Sequence, residues 1–504
     1  MNSDQQDPLV KVPTGIPGFD VFSEGGLPEG RTTMISGTAG SGKTIFASQF
    51  LIEGIKQGHN GVFVTFEESP TMLRKNMRGF GWEIQQWERE NKWLFVDASP
   101  LEQNIPLVSG EYDLDPLLSR LKYAVEQINA ERVAMDSLGS IFSYVPDVAK
   151  VRNLLFRLAT VLHKMEVTAV LTSERATDYG EISRYGIEEF VADNVIVMRN
   201  ALLEERRRRT IEILKFRGVS HQHGEFPFTI LSERGIIVIP FSTDVLKRKS
   251  SSTRITSGNP DLDAMCGGGW FKGSIVLVSG ATGTGKTLAA TEFINGGIEN
   301  DEKCLLFAFE ESREQLLRNA KGWGINYEQM EREGKLKIIC RYPETTGLET
   351  HFVHIKKQIE KFQPERVVID SISALERVST FKGFREFLLT INTLFKEEGI
   401  TTLCTANTAN LIGSDIITQS NISTNTDLII LLRYVEVYGE IRRGLAVLKM
   451  RGSAHNKDIR EFLISDRGMC LGKPFRNVTG ILAGNPIYVD ADEIDRLNDL
   501  LADN

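Results

Sequence analysis

The chain has 504 residues, enough for two large domains, and its 41% apolar and 25% charged residues are those of a soluble globular protein. A formal net charge of −8 excludes a general basic coat for nucleic acid, leaving at most a local basic channel, and no run approaches the roughly 18 apolar residues of a membrane span. Five scattered cysteines (Cys266, Cys304, Cys340, Cys404, Cys470) without CxxC spacing argue against zinc or a disulfide framework, and with no secretion signal in MNSDQQDPLV they fit a reducing cytoplasm.

Along the chain, TTMISG (32–37) reads as a buried strand that leads into a helix from Thr44. VFVTFE (62–67), RVAMD (132–136), TAVLTS (168–173) and VIVMRN (195–200) read as further buried strands, separated by helical stretches. That alternation predicts an α/β fold with a mostly parallel sheet covered on both faces. DVLKRKSSSTRIT (244–256), polar, basic and serine-rich, reads as a linker, with KRK as part of its solvated surface.

Beyond the linker the chain repeats itself. SGTAGSGKT (36–44) returns as SGATGTGKT (279–287) and FVTFEES (63–69) as LFAFEES (306–312), both at an offset of 243. ERVAMDS (131–137) returns as ERVVIDS (365–371) and KFRG (215–218) as KMRG (449–452), both at 234. The first copy is therefore the longer one between these blocks, near LEQNIPLVSGEYDLDP (101–116). TGIPGFDVFSEGGLPEG (14–30) matches SGNPDLDAMCGGGWFKG (257–273), which sets the expected division: domains 1–243 and 257–484, linker 244–256, tail 485–504.

Two nucleotide sites follow. Gly37-Thr38-Ala39-Gly40-Ser41-Gly42-Lys43-Thr44 and Gly280-Ala281-Thr282-Gly283-Thr284-Gly285-Lys286-Thr287 both fit G-x-x-x-x-G-K-[ST], each after a strand and before a helix. In such a loop backbone N–H groups wrap the phosphates of ATP, the lysine bridges β- and γ-phosphates, and the threonine ligates Mg2+. Asp136 and Asp370 each end an apolar strand, where an acidic residue orients the metal and its water. Glu67–Glu68 and Glu310–Glu311 end another strand, where a carboxylate takes a proton from water or a hydroxyl; spacing does not choose between the members of a pair. Lys215 and Arg217, like Lys449 and Arg451, alternate along a strand and can face one anion, such as a phosphate in a neighbouring subunit's site, whereas Arg206–Arg209 read as surface ion pairs with Glu204 and Glu205.

The paired P-loops, both FEES blocks, both K-x-R-G strands and IITQSNISTNTDLIILL (416–432) together resemble the KaiC family of circadian clock proteins over nearly the whole chain. The resemblance implies two RecA-like domains stacked as rings in an ATP-dependent homohexamer, the first ring a slow ATPase and the second an autokinase and autophosphatase. It puts the phosphoacceptors on Ser423 and Thr424, with Thr418 influencing them; the first copy has Glu189 and Phe190 at the matching place. It makes Glu310 a metal ligand or base and sets Trp323 near the adenine. Lys215, Arg217 and His221 would serve the first site across the subunit boundary; Arg443, Lys449, Met450, Arg451, Ser453, His455 and Lys457 would serve the second. A KaiB-type partner would meet 101–116, while the short tail argues against a KaiA-type activator, and SAHNK (453–457) departs from the family pattern. The rivals are a RecA- or DnaB-type DNA motor, disfavoured by the net charge, and an ATP-regulated scaffold.

Overall fold

The computed structural model describes residues 9–99, 114–142, 147–183, 191–203, 205–239, 251–408, 426–437, 439–476, 478–481 and 487–488. The chain falls into two compact units, Met1–Pro240 and Phe241–Asn504. In the first, one sheet runs in the order Gly235–Val238, Phe226–Leu231, Arg206–Phe216, Asn194–Leu203, Thr32–Gly37, Thr168–Glu174, Ala130–Asp136, Asn60–Thr65, Trp93–Asp97. Neighbours from Asn194–Leu203 to Trp93–Asp97 are parallel, and the rest are antiparallel. The second unit repeats that order with Gly468–Pro474, Arg460–Ser465, Glu440–Met450, Leu428–Val437, Ile275–Gly280, Thr401–Asn407, Arg366–Asp370, Cys304–Ala308, Leu336–Cys340. The chain is thus two tandem RecA-like α/β domains.

Strands in such a sheet are buried on both faces, so alternation sorts residues between two cores. In the second unit Val276 and Val278 pack with Phe293 and Leu306, whereas Ile275 and Leu277 pack with Leu305, Phe307 and Phe384. Helix Lys286–Glu299 covers the first of these faces; Leu348–Phe362 and Phe381–Glu397 cover the second.

Arg132 and Arg366, of the repeated ERV blocks, are 2% and 1% exposed. The Arg132 guanidinium donates to the Pro13 and Phe50 carbonyls at 2.9 and 2.8 Å and lies 4.7 Å from the Phe50 ring. Arg366 donates to the Thr256 and Phe293 carbonyls at 2.8 and 2.9 Å, lies 4.7 Å from the Phe293 ring, and pairs with Glu302 at 2.5 Å. Each arginine ties the P-loop helix to the strand that carries the site aspartate.

The strand expected over 62–67 stops at Thr65, where the Phe66 N–H makes the last ladder bond, to the Asp136 carbonyl at 3.0 Å. The FEES serines cap the next helix: Ser69 accepts from the Met72 N–H, and Ser312 and Gln315 form a full capping box. Arg254–Ile255, expected to close the linker, instead pairs with Trp270–Phe271 as part of the second unit, just as Lys11–Val12 pairs with Leu27–Pro28 in the first. Ile487–Tyr488, in the expected tail, pairs with Val478–Thr479. Among the described residues no helix is long and apolar enough to cross a membrane.

Candidate nucleotide sites

Each P-loop leaves a fully buried strand and opens a helix of 14 residues, Lys43–Lys56 or Lys286–Glu299. The N-cap residues, Gly42 and Gly285, sit at φ 97° and 107°, where a side chain is strained, and neither helix has a side-chain cap. A helix start of that kind offers its N–H groups and positive end to an anion. A Cβ on Gly37 would lie 2.6 Å from the Met198 carbonyl, and one on Gly280 2.6 Å from that of Leu432. Ser41 Oγ is buried in the loop with no hydrogen-bond partner among the described residues. Lys43 Nζ reaches the Gly37 and Thr38 carbonyls at 3.0 and 3.2 Å; Lys286 Nζ reaches those of Gly280 and Ala281 at 2.9 and 2.8 Å. Burial pushes both ammonium groups below the usual lysine value, against the opposing pull of nearby carboxylates.

Beside each lysine a threonine meets an aspartate. Thr44 Oγ1 donates to Asp136 Oδ2 at 2.6 Å, and Thr287 Oγ1 to Asp370 Oδ2 at 2.9 Å. The Thr172 and Thr405 hydroxyls hold the other carboxylate oxygens. Burial pushes the Asp370 carboxyl upward, and its two threonine bonds oppose the shift. A hydroxyl and a carboxylate so close are a hard oxygen pair suited to Mg2+ that also takes phosphate oxygens. The orphaned Ser41 hydroxyl, the uncapped helix starts and these oxygen pairs fit ATP with Mg2+: Lys43 and Lys286 would face the phosphates, and Thr44 with Asp136 and Thr287 with Asp370 the metal.

The glutamates are held differently in the two units. Glu67 accepts from the Ser137 hydroxyl at 3.0 Å and from that of Ser140. Glu310 accepts from Arg377 at 2.9 Å and from the Asn407 amide at 3.3 and 3.4 Å. Glu68 and Glu311 each take a bond from an asparagine, Asn76 at 2.9 Å and Asn319 at 3.0 Å. Glu311 also lies 3.4 Å from Thr287 Oγ1, and burial, with Asp370 adding to it, pushes its carboxyl upward. Sequence reasoning missed Asn76 and Asn319, although they obey the same offset of 243 as the FEES blocks.

The K-x-R residues lie away from their own P-loops. Along the sheet Thr33 pairs with Asn194 and Asn194 with Phe216, while Gly37 pairs with Met198 and Met198 with Ile211. Lys215 therefore sits at the opposite end of the strands from Gly37. It donates to the Ala192 carbonyl at 2.8 Å, and Arg217 lies 3.8 Å from Asp193. In the second unit Lys449 donates to the Thr426 carbonyl at 2.8 Å and Arg451 lies 3.8 Å from Asp427, again at the end remote from Gly280. Arg443, grouped with these by resemblance, lies instead against its own P-loop, 3.3 Å from the Gly283 carbonyl. Arg209, read as a surface ion-pairing residue, does the same to Gly40 at 3.2 Å.

His221 is half-buried, 4.9 Å from the His223 ring, and burial pushes its pKa below the usual imidazole value. Ser453 accepts from Arg254 at 2.6 Å; His455 is half-buried and Lys457 exposed. Met450 and Trp323 pack partly buried against the core beneath the second P-loop helix. Ser423, Thr424, Thr418, Glu189, Phe190 and most of 101–116 lie outside the described residues.

The family described as "ATPase: KaiC" matches residues 12–243 and 255–474. The chain is 62% identical over 500 residues, 99% of each chain, to the circadian clock protein KaiC3 of Synechocystis sp.. It is 49% identical over 486 residues to the circadian clock oscillator protein KaiC of Thermostichus vulcanus, covering 96% of this chain and 93% of that one. With the KaiC of Synechococcus elongatus the identity is 48% over 498 residues, 99% of this chain and 96% of the relative. The chain belongs to the KaiC family, as a two-domain ATPase that works with ATP and Mg2+.

Proposed function

We propose that this chain is the hexameric timing component of a circadian-type system: a cytoplasmic ATPase in its first unit, and in its second a serine/threonine autokinase and autophosphatase acting on Ser423 and Thr424. The observation that carries the reading is the place of the second K-x-R pair. Lys449 holds the Thr426 carbonyl and Arg451 approaches Asp427, only a few residues after Ser423 and Thr424. The described residues nearest in sequence, Thr426 and Asp427, thus sit at the end of the sheet remote from their own P-loop, and three residues of chain reach at most roughly 10 Å. An ATP within reach of Lys449 and Arg451 then belongs to a neighbouring copy, and the same ATP serves as donor to Ser423 or Thr424.

Thr287 and Asp370 would hold Mg2+, which would offset the charge that develops on the transferred phosphate. Lys286 holds the γ-phosphate in line with the acceptor hydroxyl, and Glu310 or Glu311 takes the hydroxyl proton. In the first unit Glu67 or Glu68 takes a proton from water instead. A KaiB-type partner would meet the first unit near 101–116. The test is to incubate the pure protein with γ-labelled ATP and Mg2+ and map the label by mass spectrometry. Label on Ser423 and Thr424, with separate release of free phosphate, supports the reading; turnover with no labelled residue leaves an ATPase without kinase function.

A further inference from the structure

Between the P-loop strand and the aspartate-bearing strand of each unit lies one more strand, and its last residue faces the first glycine of the P-loop. In the first unit that pairing is Gly37 with Glu174; in the second it is Gly280 with Asn407. The two residues hold the same place in the sheet but differ in charge and in what they offer a neighbour.

Asn407 is fixed: its backbone N–H donates to Ser373 Oγ at 2.8 Å. Its side-chain amide donates to both carboxylate oxygens of Glu310, which Arg377 also binds. Glu174 has no such donor and brings a further carboxylate. With Asp136 and Glu67 it pulls on the buried Lys43 ammonium, and its pull is the strongest of the three. At Lys286 the corresponding charges are Asp370 and Glu310. Thus three carboxylates act on the first ammonium. On the second, Asp370 and Glu310 act, and Glu310 is shared with the Arg377 guanidinium.

ATP brings several negative charges to this place, and a divalent cation offsets part of them. We propose that the residue opposite the first P-loop glycine sets how strongly nucleotide binding depends on the metal: Glu174 makes ATP binding at the first site depend more steeply on a divalent cation, while Asn407 leaves the second site less dependent on it. The cause is electrostatic. A carboxylate beside the γ-phosphate position repels the free nucleotide and attracts the metal complex, so it couples the two ligands. An amide at the same position repels neither form and donates to the neighbouring glutamate. The inference deepens the ATPase reading of the two P-loops and rests on it.

The test uses full-length protein with one site disabled, Lys286→Ala to read the first and Lys43→Ala to read the second. The affinity for a fluorescent ATP analogue is measured in excess Mg2+ and in excess EDTA, and the ratio of the two Kd values is the readout. The ratio should be about tenfold larger at the first site than at the second, the effect of roughly one nearby charge. Glu174→Gln, close to isosteric, should lower the first-site ratio about tenfold chiefly by tightening binding in EDTA, and Glu174→Asp should keep it. Asn407→Glu should raise the second-site ratio. Tight MgATP binding with ratios unchanged in Glu174→Gln and Asn407→Glu overturns this inference and leaves the ATPase reading standing. No MgATP binding at either site of the parent protein overturns both.

Discussion

Glu292, on the second P-loop helix, accepts the Met469 N–H at 2.8 Å, as Gln49 on the first P-loop helix accepts the Ile236 N–H at 2.7 Å. Both bonds tie the helix behind the phosphates to the last strand of the sheet. The amide of Gln49 also reaches the Arg234 and Ile236 carbonyls at 3.4 Å, which an ionised carboxylate in its place could not do. Glu292 is 8% exposed, and burial pushes its carboxyl above its ordinary value of 4.5, with Glu299 adding to the shift.

That shift has a definite sign. The folded chain binds the Glu292 proton more tightly than the unfolded chain, so stability falls as pH rises from about 4.5 through the raised folded value. Glu292→Gln supplies an uncharged group with the hydrogen-bonding set of Gln49. It should therefore stabilise the second unit at pH 7 to 8, and the gain should vanish near pH 4. Thermal unfolding of parent and variant across that range measures the difference. A constant difference, or one that grows on acidification, contradicts the assignment.

Changing both Glu67 and Glu68 to Gln should lower first-unit hydrolysis about a hundredfold or more, because the proton-accepting group is lost while the phosphate-holding groups remain. ATP affinity, measured by calorimetry in a Lys286→Ala background, should stay within a few-fold of the parent. Ser137→Ala with Ser140→Ala, which removes the hydroxyl donors of Glu67, should give a smaller loss. Parent-level turnover in the double glutamate variant would place the base elsewhere.

Arg366→Ala should destabilise the second unit by about 3 kcal/mol, since it leaves the Thr256 and Phe293 carbonyls and Glu302 without their donor. Arg132→Ala should do the same to the first unit, through the carbonyls of Pro13 and Phe50. Methionine at either position should recover part of the loss by keeping the packed stem. Urea unfolding followed by tryptophan fluorescence reads both.

Much of this was legible in the sequence because it depends on local pattern. Buried strands betray themselves as apolar runs, and a P-loop needs glycines and a lysine at fixed spacing. The offsets of 243 and 234 aligned Asp136 with Asp370 and Glu67 with Glu310 before any geometry was known. What stayed hidden depends on register between distant strands. Glu174 and Asn407 end runs that look alike, and only pairing with Gly37 and Gly280 brings them beside the P-loops. Arg209 looked like one more residue in a charged cluster; a hairpin carries it to Gly40. Ser69 and Ser312 stand inside the motif that carries the proposed bases, yet their work is to cap a helix.

The last prediction tests whether phosphate crosses between copies. In the chain, Ser423 and Thr424 shortly precede strand Leu428–Val437, whose start lies beside Lys449 and Arg451 and away from Gly280 and Lys286 of the same unit. A copy that has lost its own donor site should then still be phosphorylated by a neighbour. Lys286→Ala removes the group that holds the donor phosphate but keeps Ser423 and Thr424; Ser423→Ala with Thr424→Ala keeps the donor but has no acceptor. Neither variant should incorporate label alone. Mixed as dissociated subunits and then assembled with labelled ATP and Mg2+, they should regain it, with all label on the Lys286→Ala chain, identified by a size tag. Lys449→Ala and Arg451→Ala added to the Lys286→Ala chain should reduce the transfer, because in the proposed arrangement they would reach the neighbour's nucleotide from the acceptor's side. Added to the other chain they should change it little. Absence of label in the mixture, with the parent protein phosphorylated under the same conditions, would show that each copy phosphorylates itself from its own P-loop.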